Sequence, residues 1–215
     1  MVYCTADIHG EFERFRRLLE LICFSEEDTL YVLGDVIDRG PDGVKALEFI
    51  RERENIILLM GNHERMCVDA LGKDSLPRAR RLWEQNGGWP THMDLAGHPG
   101  RDTLLAYLSD LPLFLDIEVE GKAFRLVHGF PGETEDDMLW GRPEAGMTRQ
   151  PLPGKTVIVG HTPVQYLQYS TGKKDVVPLI WHGPGILDID CGCGHDDPGR
   201  MLACLRLDDM KEFYI

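Results

Sequence analysis

Thr29-Leu30-Tyr31-Val32-Leu33 runs directly into Gly34-Asp35-Val36-Ile37-Asp38-Arg39-Gly40, and a helix-patterned segment follows. The first five residues form a short apolar run, the signature of a buried strand. The next seven hold two glycines and three charged side chains, which end the strand in a polar loop. Over 42–51, Val44, Leu47 and Ile50 recur on one side of a helix. Strand, polar loop and helix in succession make one half of a parallel βαβ unit.

The same order appears on both sides of this stretch. Residues 2–6 are an apolar run that opens into Asp7-Ile8-His9-Gly10, and 11–23 carries apolar residues at 12, 15, 18, 19 and 22. Residues 56–60 lead into Gly61-Asn62-His63-Glu64 and a helix over 62–71. Three strand–helix pairs predict parallel strands joined by right-handed crossovers. Ligands of such sheets gather beyond the carboxyl ends of the strands. Three polar loops therefore fall on one sheet edge. Residues 75–110 read as helices interrupted by Gly87-Gly88 and by Gly97-His98-Pro99-Gly100. Short strands follow at 113–119, 124–128, 156–160, 186–189, 201–207 and 211–215. The expectation is an α/β fold of two stacked β-sheets flanked by helices, one domain over 1–215.

Composition narrows the function. A chain of 215 residues with 43% hydrophobic side chains buries an ample core without a disulfide or zinc staple. The formal charge of −13 argues against nucleic acid and anionic membrane as partners, since both recruit clustered Lys and Arg. There is no apolar run long enough to span a bilayer. The start lacks the charged and apolar regions of a secretory signal. Cys4, Cys23 and Cys204 lie in apolar runs, where free cysteine behaves as a small buried hydrophobe, and Cys191-Gly192-Cys193 has no second pair at zinc-finger spacing. The expected location is the reducing cytoplasm.

A pair of divalent metals needs oxygen and nitrogen ligands from several loops, including a carboxylate able to bridge. Asp7, His9, Asp35 and Asn62 stand at strand ends in the first half, and His128 and His161 do so in the second. The segments Asp7-Ile8-His9-Gly10, Gly34-Asp35 with Asp38-Arg39-Gly40, Gly61-Asn62-His63-Glu64, His128-Gly129 and Gly160-His161-Thr162 resemble, in order, those of calcineurin-like metallophosphoesterases. Within that family the chain resembles the phosphoprotein phosphatase branch. Its Gln85-Asn86-Gly87-Gly88-Trp89 and Trp140-Gly141-Arg142 segments look most like the compact bacterial and phage serine/threonine phosphatases.

The resemblance implies a four-layer α/β/β/α sandwich and a dinuclear centre. Asp7, His9 and Asp35 would hold one metal; Asp35, Asn62, His128 and His161 would hold the other, with Asp35 shared. Manganese is the metal the resemblance favours, and the nitrogen-rich set also accepts iron or zinc. His63 would be the general acid, oriented by Asp38, while Arg39 and Arg142 would grip the substrate phosphate, with Arg149 as the alternative to Arg142. The implied substrate is a phosphorylated protein, or a small phosphorylated compound such as a dinucleoside polyphosphate. A non-catalytic metal-binding scaffold is the third reading. His182 competes with His128, because Trp181-His182-Gly183 repeats the His-Gly pair. Glu64 is expected to fix its loop or cap a helix, and Asp188, Asp190 and the Cys-x-Cys, behind a late strand that could approach the site, to be structural. His-Gly-Phe stands where the family has His-Gly-Gly, and Asp190-Cys191-Gly192-Cys193-Gly194 replaces the eukaryotic Ser-Ala-Pro-Asn-Tyr stretch.

Overall fold

The structure is a computed structural model and describes residues 1–73, 75–172, 176–196 and 199–215. Strands β1 (Val2–Thr5), β2 (Thr29–Val32) and β3 (Ile56–Leu58) pair in parallel, with β1 aligned to β2 and β2 to β3. Helices α1 (Phe12–Leu21) and α2 (Gly43–Arg51) make the two crossovers, and α3 (Asn62–Leu71) follows β3. The second sheet is built from β4 (Phe114–Val119), β5 (Lys122–Val127), β6 (Thr156–Val159), β7 (Trp181–Gly183) and β8 (Ile186–Asp188), in the order β4-β5-β6-β8-β7. Its three inner strands are parallel and its two edge strands antiparallel to their neighbours. The chain then returns to the first sheet: β9 (Ala203–Arg206) lies antiparallel to β1, and β10 (Lys211–Tyr214) closes the edge.

Alternation along each strand sorts the side chains into layers, because successive residues point to opposite faces. Tyr3, Leu30, Val32, Ile56 and Leu58 meet Phe12, Phe15, Leu18, Leu47 and Ile50 in a core between the first sheet and its helices. Their neighbours Cys4, Leu33, Leu59, Ala203 and Leu205 face the other way and meet Phe124, Leu126, Ile158 and Leu187 of the second sheet. Val127, Val157, Val159 and Ile186 form a third cluster on that sheet's far face, covered by Phe130, Met138, Met147 and Leu152. The two sheets are therefore stacked, as expected.

Several elements depart from the sequence reading. Helix α1 stops at Leu21; Cys23 turns into a left-handed conformation (φ 52°) and is exposed, where burial was expected. Helices α4 (Pro77–Trp83) and α5 (Trp89–Leu95) are joined by a π-helical turn, Glu84–Gly88, with Gly87 at φ 98°, before α6 (Arg101–Ser109). The short elements α7 (Glu135–Trp140), α8 (Val164–Ser170) and β7 were not expected; each is too brief to carry a clear period. No helix among the described residues is long and apolar enough to cross a membrane.

Candidate active site

Six parallel strands deliver their carboxyl ends to one region. Beyond β1 and β2 the chain stays zipped: the amides of Asp7, His9 and Gly10 donate to the carbonyls of Gly34 (3.2 Å), Asp35 (2.9 Å) and Val36 (2.8 Å). Glu64 fastens the second loop from below. Its buried carboxylate accepts from the amides of Asp35 (2.7 Å), Val36 (2.9 Å) and Gly61 (3.1 Å), so it caps helix α3 at Gly61 and ties that turn to the loop after β2, in keeping with the structural part expected of it. Asp7, His9, Asp35, Asp38, Arg39 and His161 all hold positive φ, a conformation costly for residues with a β-carbon and concentrated at functional sites. At Gly160 the chain passes so close to Asp7 that a β-carbon would overlap the Asp7 carboxylate.

The result is a buried set of atoms that all present lone pairs. His128 Nδ1 lies 2.7 Å from the Leu33 carbonyl and must donate to it. A neutral imidazole has one N–H, so Nε2 is left as an acceptor, yet it faces another acceptor, Asn62 Oδ1, at 2.9 Å. Asp35 Oδ1 stands 3.4 Å from the same nitrogen, and His161 Nδ1 is 3.0 Å from the same amide oxygen. His9 repeats the pattern: Nδ1 is 3.2 Å from the Ile37 carbonyl, and Nε2 points at Asp35 Oδ2 (3.6 Å) and Asp7 Oδ1 (3.9 Å). His161 Nε2 is buried with no hydrogen-bond partner among the described residues.

Charge favours the same interpretation. Burial, the largest cause in each case, pushes His161 down to about 3 and holds His128 and His9 below the ordinary histidine value against the opposing charge of Asp35, so all three are neutral near pH 7. Burial and the nearby Asp190 and Asp35 push Asp7 well above the usual carboxylate range. Asp35 behaves oppositely: burial would raise it, but the positive charge that His128, His63 and His9 carry once protonated in acid holds it low. Acceptors crowded at 2.9–3.9 Å need a cation between them. The donor set of carboxylate, imidazole and amide fits divalent metal.

His63 is set differently. Its Nδ1 donates to Asp38 Oδ2 at 2.7 Å, and its Nε2 is 3.2 Å from Arg39 Nη2. Burial would lower its pKa, but Asp35 and the Asp38 hydrogen bond outweigh that and raise it. His63 also approaches Asp35 and His9 closely enough to join a metal set. The guanidinium facing its Nε2 disfavours that role. Arg142 is exposed but its Nη1 lies 3.2 Å from Thr162 Oγ1 and 3.4 Å from the His161 carbonyl, at the rim of the cluster, whereas Arg149, also exposed, has no such contact among the described residues. His182 is no competitor for His128: it sits exposed on β7 and pairs with Glu212 at 2.6 Å.

Some neighbours of the site gave little sequence signal. The loop after β8, read from sequence as structural on a strand that could approach the site, borders the cluster. Gly194 lies against the His9 ring so closely that a β-carbon would overlap it, and His195 Nε2 is 3.0 Å from Arg39 Nη1. Asp188 and Asp190 are fully buried beside Asp7; burial and the charge of Asp190 push Asp188 well above the usual carboxylate range, and burial with the charge of Asp35 raises Asp190 to about 6. Trp83, unremarkable in sequence, donates its indole N–H to Asp38 Oδ2 at 2.7 Å.

Known proteins place this arrangement in one class, the hydrolases of phosphoester bonds. The chain belongs to the calcineurin-like phosphoesterases, whose family profile matches residues 1–196. It is 30% identical over 176 residues to serine/threonine-protein phosphatase 1 of Salmonella typhimurium, covering 76% of this chain and 79% of that one. It is 33% identical over 110 residues to the symmetrical bis(5'-nucleosyl)-tetraphosphatase of Nitrosospira multiformis, but covers 50% of this chain and 36% of that enzyme. The chain thus spans well under half the length of that relative. Among solved structures, a metallophosphoesterase from Sphaerobacter thermophilus shares the fold with a TM-score of 0.65 at 21% identity, over 99% of this chain and 86% of that one. The family implies divalent metal ions.

Proposed function

We propose that the protein is a dinuclear-metal phosphomonoesterase acting on phosphoserine and phosphothreonine in proteins. The observation that carries the metal centre is the meeting of His128 Nε2 with Asn62 Oδ1 at 2.9 Å, two acceptors with no proton to share. Asp7, His9 and Asp35 would hold one cation, and Asp35, Asn62, His128 and His161 the other. Such a pair supplies Lewis-acid charge stabilisation and acidifies coordinated water. Manganese suits this mixed oxygen and nitrogen set, as would iron or zinc.

The chain's own groups supply the rest. Arg39 and Arg142 flank the cluster, and a guanidinium can grip two phosphate oxygens at once. When phosphate draws Arg39 away from His63, Nε2 is free to hold the proton that the leaving oxygen needs, with Asp38 fixing the ring through Nδ1. The comparable length of the Salmonella phosphatase supports a protein substrate. The tetraphosphatase relatives support a second reading, cleavage of dinucleoside polyphosphates by the same centre.

The manganese-loaded protein, assayed on p-nitrophenyl phosphate, a phosphoserine peptide and diadenosine tetraphosphate, tests both. Higher kcat/KM on the peptide than on the dinucleotide is expected. The reverse order would transfer the proposal to the polyphosphate. No turnover on any of the three would leave a metal-binding scaffold.

A further inference from the structure

We propose that Trp83 is a positioning residue for leaving-group protonation, acting through Asp38 on His63. The proposal rests on the roles given above to Asp38 and His63. Its geometric basis is a shared atom: Trp83 Nε1 and His63 Nδ1 each donate to Asp38 Oδ2 at 2.7 Å. Asp38 Oδ1 accepts no hydrogen bond among the described residues. Asp38 and Trp83 are both 0% exposed, so no solvent replaces a lost donor. Trp83 therefore supplies one of the two donors that hold a buried carboxylate in place.

Trp83 is one of three contacts from a single element. Residues 83, 87 and 91 recur every fourth position along the α4, π-turn and α5 segment. The Gly87 carbonyl accepts from the Arg39 amide at 2.9 Å, and Thr91 Oγ1 accepts from the Asp38 amide at 2.9 Å. Asp38 and Arg39 hold φ of 73° and 65°, conformations that persist only under outside restraint. The π-helical turn, with Gly87 at φ 98°, lets all three groups face that dipeptide. An indole serving packing alone needs any acceptor; this one is committed to the carboxylate that orients His63. Without it, Asp38 is free to turn about its Cβ–Cγ bond, and the His63 ring loses its fixed aim at the leaving oxygen.

The experiment replaces Trp83 by benzothienylalanine, which keeps the bicyclic shape and lacks the N–H, and separately by phenylalanine (Trp83→Phe). In the manganese-loaded protein, kcat on a phosphoserine peptide should fall about 10-fold with KM unchanged. The fall should be smaller on p-nitrophenyl phosphate, whose leaving group needs little protonation. In an Asp38→Asn background neither replacement should add a further loss. Equal losses on both substrates, a change confined to KM or to thermal stability, or additivity with Asp38→Asn would overturn the proposal. His63→Asn serves as the reference. If it shows the leaving-group dependence and the Trp83 replacements do not, the proposal alone fails; if His63→Asn shows none, the underlying assignment fails with it. Should the Trp83 variants not fold, the indole N–H resonance of Trp83 in the otherwise unaltered protein decides. It should lie downfield among the four tryptophans and move on Asp38→Asn; an unmoved signal would overturn the proposal.

Discussion

Asp35 is the residue on which the centre turns, because its two oxygens face different partners. Oδ1 looks toward His128 and Oδ2 toward His9, and the amide of His63 donates to Oδ1 at 3.0 Å. On the proposed assignment, Asp35→Asn removes the charge that would balance two cations and should abolish metal uptake and turnover together; metal content by elemental analysis checks it, and full retention of two metals would contradict the shared role. His63→Asn should instead keep both metals while slowing turnover on alkyl phosphates by about 10²–10⁴-fold. Gly160 is a residue-scale constraint of another kind. Gly160→Ala sets a methyl group against the Asp7 carboxylate, and weaker metal binding in a titration, with about 1–3 kcal/mol lost in stability, is the expected result.

At the scale of elements, the paired strands set where the loops arrive. Leu126 on β5 is fully buried between the two sheets, and Leu126→Ala should cost about 2–5 kcal/mol in chemical denaturation. The hairpin of β4 and β5 is also fastened on its outer edge. Asp116 stands directly opposite Arg125, which bonds it at 2.6 and 2.8 Å, and Lys155 joins at 2.7 Å. The Arg125 hydrogen bond, with help from Lys155, holds Asp116 at about 2, below its ordinary 3.8. A carboxyl lowered in the folded state adds stability above the unfolded value, which is lost as pH falls from about 3.8 through about 2. Solvent screening keeps the contribution under about 1 kcal/mol. Asp116→Asn should flatten that part of the stability–pH curve, and its effect should vanish only below the folded value of about 2.

For the whole molecule, the two sheets meet where buried carboxyls crowd together: Asp7, Asp35, Asp188 and Asp190 are each 2% exposed or less. Repulsion among them opposes folding, and a divalent metal bound only by the folded chain would relieve it. Saturation at about 100 times Kd stabilises by about 2.7 kcal/mol, which for a chain of this size raises the melting temperature by about 5–10 °C. Thermal melts with manganese and with a chelator measure the difference, and identical midpoints would speak against a metal centre. The reach of sequence reading also varies with scale. β1, β2, β3 and the helices α1, α2 and α3 were readable because each has one clear period and a polar loop behind it. Helices α7 and α8 and strand β7 were not, since three to seven residues hold less than two helical turns or strand repeats.

Local chemistry marked Asp7, His9, Asp35, Asn62, His128 and His161, because each follows an apolar strand; strand order implied a common edge for the first four, and the family resemblance brought His128 and His161 to it. Packing alone decided which further side chains would touch them. Trp83, His195 and Gly194 reach the cluster from segments remote in the chain, and their neighbours depend on how helices and loops settle against both sheets. Hydrophobic spacing is written in consecutive residues; contact between distant ones arises only when the layers close.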